Sequence, residues 1–199
     1  INVKVPIQDQ FIENIFSNFL AFEQLTVNND KLLEYANDQV KHGTKIQSKF
    51  LDLCGEPIKS LSLIVQDKFN ELHKSIGLSA DYSHIIDNAW ININNNINID
   101  SAHCHPGQVF SAVYYVEANN DCGDLIFINP DKGLCHSIHP ILIEKFNSFN
   151  SHNYRTVPKA GNLIIFPSHL EHYVRTNISN SLRVSIAFNS KYTFQYLMF

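Results

Sequence analysis

The sequence predicts an α+β domain, with a mainly helical front over about residues 8 to 78 and a strand-rich back of barrel or sandwich type from about Ser83 onward. Two observations carry this. Apolar residues in the front recur every three or four positions, the period of a helix face. The back breaks into short β-branched and aromatic runs punctuated by Gly, Pro, Asn and Asp, as strands joined by turns do.

In the front, Phe11, Ile15, Phe19 and Leu20 predict a first helix, and Leu61, Ile64, Val65, Phe69 and Leu72 a later one. Pro57 near the start and Gly77 at the end of the later helix follow the usual asymmetry of helix boundaries. Asp30 to Phe50 reads as a third helix. In the back, the runs HIIDNAWININ, VFSAVYYVE, DLIFIN, YRTVP, NLIIFP and LRVSIAFN read as strands. In the last of these, Val184, Ile186 and Phe188 share one face, and Arg183, Ser185, Ala187 and Asn189 share the other. One face is expected to pack against the helices and the other to line a pocket. The connection of roughly 25 residues after DLIFIN holds His136, His139 and His152 and is long for a structureless loop, so it is a candidate lid.

The 199 residues, 44% hydrophobic and 17% charged, suit one core, and a single domain over 1–199 is expected, with 1–80 as helical support and 81–199 as the β core. No apolar run approaches the roughly 20 residues of a membrane span. INVKVPIQDQ lacks the basic and apolar regions of a secretory signal, which makes the cytoplasm the expected location. Cys54, Cys104, Cys122 and Cys135 are dispersed and form no C-x-x-C pair, as in a reduced intracellular protein. A net charge of −4 argues against a surface that neutralises many phosphates, so nucleic acid is not an expected partner.

The chemistry concentrates in SAHCHPG and FPSHLEHYV. His103 and His105 are two apart, and in extended backbone such positions project from one face, so both imidazoles can converge on one ion. His169 and His172 follow a strand ending at Phe166 and Pro167, and either offers a third imidazole. Three ligands on one face leave open coordination positions, the arrangement of mononuclear iron oxygenases. A chain with ten histidines also produces close pairs by chance.

The elements AWININ, HCHPGQVFSAVYYV, GDLIFINP, PKAGNLIIFPSHLEHYVRTN and LRVSIAFN occur in an order that resembles the 2-oxoglutarate- and iron(II)-dependent oxygenases. The similarity is greatest to a bacterial and phage family related to prolyl 4-hydroxylases, and it covers roughly residues 85 to 190. It implies a double-stranded β-helix (jelly-roll, cupin-like) core with the N-terminal helices packed on one sheet. It implies an oxidoreductase using Fe(II) and 2-oxoglutarate, with ascorbate as an auxiliary reductant and a homodimer as further expectations. Carried over by residue, His103 is the first metal ligand, His172 the distal ligand and Arg183 the anchor of the far carboxylate of 2-oxoglutarate. Ser185, on the same face as Arg183, is a further hydrogen-bond donor, and Asn92, in parity with Trp90 and Asn94, a candidate contact for the metal-proximal end.

Position 105 departs from the wider superfamily, which carries a carboxylate there, but matches the H-x-H-P of the similar subfamily. His105 is therefore the expected third ligand, with Asp100 and Asp124 as alternatives. A third neutral imidazole leaves the centre one positive charge richer than an Asp would, favouring an anionic co-substrate. One of the adjacent Tyr114 and Tyr115 should face the pocket. The implied reaction is hydroxylation of a substrate, such as a prolyl or other amino-acid side chain, with release of succinate and CO2. Two other readings fit parts of the pattern: a three-histidine cupin-like dioxygenase without 2-oxoglutarate, which leaves Arg183 without a role, and a non-catalytic jelly-roll structural or binding protein.

Overall fold

The computed structural model describes residues 5–7, 10–12, 17–39, 45–47, 50–95, 101–131 and 133–194. The front contains strands β1 (Val5–Ile7), β2 (Gln10–Ile12) and β3 (Ala21–Gln24), helix α1 (Asn29–Gln39), strand β4 (Lys45–Gln47) and helix α2 (Ile58–Ser75). The back contains β5 (Tyr82–Asn94), β6 (Phe110–Glu117), β7 (Leu125–Ile128), a short helix α3 (Leu134–Ser137), β8 (Asn153–Thr156), β9 (Asn162–Pro167), β10 (His172–Val174) and β11 (Arg183–Phe194). The strands form a six-stranded sheet in the order β3-β9-β6-β11-β5-β4 and a three-stranded sheet in the order β10-β7-β8, apart from the β1-β2 pair. Every pairing is antiparallel.

The large sheet is apolar on its helix side because its strands alternate. Ala89, Ile91 and Ile93 of β5, Phe110, Ala112, Tyr114 and Val116 of β6, and Val184, Ile186 and Phe188 of β11 join one buried cluster. Leu61, Val65 and Phe69 enter the same cluster from α2, on one stripe at four-residue spacing. Leu32 and Ala36 do the same from α1. Tyr114 ends this face by donating its hydroxyl to Asn29 Oδ1 at 2.6 Å. The opposite parity faces the small sheet, where Tyr115, Leu125, Phe127, Ile164, Phe166 and Leu170 form a second cluster. The small sheet is tied across by an isolated bridge, with His103 N donating to His172 O at 2.9 Å and His172 N to His103 O at 2.8 Å.

Two expectations for the front are corrected. The described residues of the segment from Phe11 to Leu20 are not helical: Phe11 lies in β2, residues 17–20 are irregular, and β3 follows, while Ile15 lies outside the described residues. The neighbours Phe19 and Leu20 pack into different clusters, Phe19 toward the helices and Leu20 toward the small sheet. Consecutive residues pointing to opposite sides is the geometry of extended chain, which a count of apolar spacings does not separate from a helix. The helix expected over Asp30 to Phe50 does not run its full length: α1 is described over Asn29–Gln39, and Lys45–Gln47 pairs with β5 as an edge strand. The unpaired edge of β5 recruits it by backbone hydrogen bonding, a long-range demand that overrides local propensity. α2 lies where the Leu61 to Leu72 stripe predicts. Among the described residues, no helix is long and apolar enough to cross a membrane.

Candidate metal centre

A cavity of about 360 Å³ lies between the two sheets. The cavity-facing parity of three adjacent strands supplies much of its wall: Trp90, Asn92 and Asn94 from β5, Tyr115 from β6, and Arg183, Ser185, Ala187 and Asn189 from β11. Register sets Ser185 opposite both Asn92 and Tyr115, and Arg183 opposite Asn94. The small sheet contributes Leu125, His172 and Val174. His103 and His105 enter from the segment before β6, fixed by the His103–His172 bridge and by His105 N donating to Ser168 O at 2.9 Å.

The structure brings His103, His105 and His172 together, with one ring nitrogen from each within 4.8 Å of the others. His105 Nε2 and His172 Nε2 are 3.3 Å apart. Imidazoles reaching one ion at roughly 2.0–2.1 Å stand about 3 Å apart when adjacent, so this pair is close to ligating distance. His172 Nδ1 donates to Leu170 O and His103 Nδ1 to Ser101 O, each at 2.8 Å, which turns the Nε2 lone pair of each ring toward the centre. Burial, and secondarily the charge of neighbouring His103, lowers the pKa of His105 to about 4. Burial likewise lowers His172 to about 4, so both rings are neutral at pH 7, the form a metal needs. The donor set fits a transition metal.

Arg183 is 3% exposed, and its Nη1 donates to Cys122 O at 2.9 Å and Gly123 O at 3.0 Å. Burial depresses its pKa, and no described carboxylate lies within ion-pair distance. A buried guanidinium whose described partners are carbonyls is a strong site for an anion. Gly123 makes this seat feasible: with φ at +93°, an added Cβ would lie 2.1 Å from Arg175 O and 2.8 Å from Arg183 Nη1. Sequence reasoning missed Gly123, although a glycine immediately before a strand signals close backbone approach.

Asn92 and Ser185 both line the cavity. Of the paired tyrosines, Tyr115 faces it, and burial raises its hydroxyl pKa despite the opposing influence of Arg183. Asp124 is not with the histidines. It accepts from Arg155 Nε at 2.7 Å, lies 3.6 Å from Arg175 Nη1 and lines a separate hollow. Asp100 lies outside the described residues. His169 is turned away, 3.2 Å from Asn18 Oδ1. No described residue of the segment between β7 and β8 lines the cavity.

Three histidines and a buried arginine on one cavity between the facing sheets of a jelly roll define an iron-type oxygenase architecture. A family model described as "Putative 2OG-Fe(II) oxygenase" matches residues 88–189, half of the chain. The chain belongs to this family: it is a 2-oxoglutarate- and Fe(II)-dependent oxygenase, an oxidoreductase. No curated protein sequence matches it. Among solved structures it is similar to a 2OG-Fe(II) oxygenase family oxidoreductase from Burkholderia pseudomallei, at 17% identity and TM-score 0.52, over 74% of this chain and 66% of that one. It thus spans about two thirds of that protein's length. It is also similar to a prolyl-4-hydroxylase of Pseudomonas putida, at 13% identity and TM-score 0.56, covering 88% and 93% of the two chains. HygX of Streptomyces hygroscopicus, solved with nickel, 2-oxoglutarate and hygromycin B, matches at 8% identity and TM-score 0.55, over 89% and 83%. At these identities the likeness is one of fold, and the fold is the expected one.

Proposed function

We propose that His103, His105 and His172 hold the iron, that Arg183 anchors the far carboxylate of 2-oxoglutarate, and that the enzyme hydroxylates an amino-acid side chain, releasing succinate and CO2. The observation that carries this reading is the buried Arg183, without a described carboxylate partner, in the same cavity as three convergent imidazoles. Ferrous iron, when bound, supplies the oxygen activation that couples decarboxylation of 2-oxoglutarate to oxidation of a substrate C–H bond.

The chain's own residues orient and seclude the reactants. The guanidinium of Arg183 matches a carboxylate with charge-assisted hydrogen bonds. Ser185, in register with Asn92 and Tyr115, offers a hydroxyl beside the bound dicarboxylate, and Asn92 an amide nearer the metal. Trp90, Leu125, Phe166 and Val174 line the same cavity with apolar surface and keep water from the reaction. The three-histidine alternative without 2-oxoglutarate gives the buried Arg183 no anion to bind. The amino-acid side chain as substrate class rests on the similarity to the Pseudomonas hydroxylase.

Anaerobic Fe(II) titration tests the ligand set. His103→Ala and His172→Ala should each weaken iron binding at least tenfold while melting near wild type, and wild-type affinity in either would remove that residue from the centre. Oxygen-dependent formation of succinate from 2-oxoglutarate, with gain of one oxygen atom by a prolyl peptide, tests the reaction. Succinate without peptide oxidation would overturn the substrate class alone.

A further inference from the structure

The three histidines are not equivalent. The Nδ1 atoms of His103 and His172 face backbone carbonyls, which only accept, so each ring carries its proton on Nδ1 and its lone pair on Nε2. His105 Nδ1 faces the side-chain amide of Asn189, with Nδ2 3.4 Å away. An amide can present either end, so its orientation is decided by what else holds it. Asn189 Nδ2 also donates to Asn88 Oδ1 at 2.9 Å, and Asn88 Nδ2 donates to Asp87 Oδ2 at 3.0 Å. Asp87 further accepts from Gln108 Nε2 at 2.8 Å and pairs with Lys191 Nζ at 2.9 Å. These contacts, Gln108 foremost, hold its carboxyl below the usual range, so it stays ionised and can only accept.

The orientation then propagates inward. An acceptor at Asp87 requires Asn88 to turn its NH2 outward and its carbonyl toward Asn189. Asn189 must answer with its NH2, which it also presents to His105. Ser111 Oγ, 2.7 Å from Asn189 Oδ1 and 2.8 Å from Ser168 Oγ, donates or accepts as required and does not set the direction. His105 Nδ1 is left as an acceptor, and the ring proton sits on Nε2, aimed at the His172 Nε2 lone pair 3.3 Å away.

We propose that the relay Asp87, Asn88, Asn189 holds His105 in the Nε2–H tautomer and makes it a labile third ligand to a metal held by His103 and His172. The inference rests on the three-histidine centre proposed above. To ligate, the neutral ring gives up the proton on Nε2 and takes one on Nδ1, with no net change in protonation. The new Nδ1–H needs an acceptor, which Asn189 supplies only by reversing its amide and breaking the bond to Asn88. Asn189 is thus a positioning residue acting through His105. Asp87, which does not line the cavity, sets the sense of the relay.

The ring-nitrogen shifts of 15N-histidine-labelled, metal-free protein report the tautomer directly. His105 should appear as Nε2–H, and His103 and His172 as Nδ1–H. In Asp87→Asn the new amide can donate as well as accept, so the relay is free to reverse. His105 should then shift toward Nδ1–H, and Fe(II), measured anaerobically against a chelator, should bind about three- to tenfold more tightly, the equivalent of one neutral hydrogen bond. Asn88→Ala cuts the relay at its middle and should do the same, which keeps the test open if Asp87→Asn folds poorly. The gain should vanish in a His105→Ala background, and His105→Ala alone should cost less affinity than His103→Ala or His172→Ala. An Nδ1–H signal for His105 in the wild type, unchanged or weaker iron binding in both relay variants, or a gain that survives His105→Ala overturns the proposal. If the tautomers are as expected but His105→Ala binds iron as the wild type does, the three-histidine centre itself fails and the inference falls with it. The two failures are separable because the tautomer is read without metal.

Discussion

Replacing Arg183 with Ala removes a side chain with two attachments: the carbonyls of Cys122 and Gly123, and by our reading the far carboxylate of 2-oxoglutarate. The two losses act on different measurements. Two buried carbonyls left without a donor destabilise the fold, by roughly 1–3 kcal/mol each. Against this, the variant no longer desolvates a guanidinium that is 3% exposed, a cost of several kcal/mol for an ion with no partner charge among the described residues. These effects oppose, so the melting temperature should move by only a few degrees. The co-substrate contact has no such offset. A hydrogen bond to a charged group contributes roughly 1.5–3 kcal/mol, so the dissociation constant of 2-oxoglutarate should rise about ten- to a hundredfold. Isothermal titration with 2-oxoglutarate on the anaerobic Fe(II) protein measures this, with Fe(II) titrated separately. Iron affinity should be unchanged. Arg183→Lys should recover part of the loss, because an ammonium keeps the charge without the planar fork. Equal 2-oxoglutarate affinity in wild type and Arg183→Ala would refute the assignment and leave Arg183 a structural residue.

Other perturbations probe the surroundings. Gly123→Ala forces a Cβ against Arg175 O and Arg183 Nη1 at a positive φ, so it should weaken 2-oxoglutarate binding severalfold without altering iron affinity; a normal co-substrate constant would show that Arg183 needs no such seat. His84 is buried against His73, with ring nitrogens 3.1 Å apart, and burial lowers its pKa to about 4. The unfolded chain takes up this proton as pH falls below about 6.5 while the folded one resists, so stability should drop between pH 6.5 and 4, by at most about 3 kcal/mol from this group. His84→Gln should lessen that slope in thermal melts without abolishing it, since His105 and His172 carry the same shift, and an identical slope would clear His84 of the effect. A fragment lacking residues 1 to 78 should aggregate, because it loses α2 and both edge strands of the large sheet. The buried side chains lost contribute roughly 1.5–3 kcal/mol each, against a typical net stability of 5–15 kcal/mol. A soluble fragment with a cooperative melt would make the front a separate module.

What was legible in the sequence was whatever depends on alternation within one strand. The division of β11 into Val184, Ile186 and Phe188 against Arg183, Ser185, Ala187 and Asn189 is read directly from its letters and holds in the structure. His103 and His105 converge as their two-residue spacing predicts, although they lie in the segment before β6 and not in a strand, held there by the bridge to His172 and the bond to Ser168. His172 was reached differently, since only the family resemblance preferred it to His169. The sequence was silent where a partner far along the chain decides. β3 and β4 are strands because β9 and β5 offer them edges, not because their own residues demand it. Asp124 is held apart from the three histidines by Arg155 and Arg175, 31 and 51 positions away, and no local pattern announces such pairs. Tyr115 was separated from Tyr114 only once β6 had a fixed register against β11.

The large sheet is apolar core on one side and reaction chamber on the other, and this arrangement limits how such a protein can change over generations. Removing one residue from the middle of β11 would exchange its two sides downstream, sending Phe188 into the chamber and Asn189 among the helices. Changes of length are therefore excluded from this strand, and novelty has to come by replacing single letters. The long connection between β7 and β8 is free of that restriction, because none of its described residues lines the cavity. Lineages that acquire new substrates should vary in length there while keeping the count of residues in β5, β6 and β11 constant.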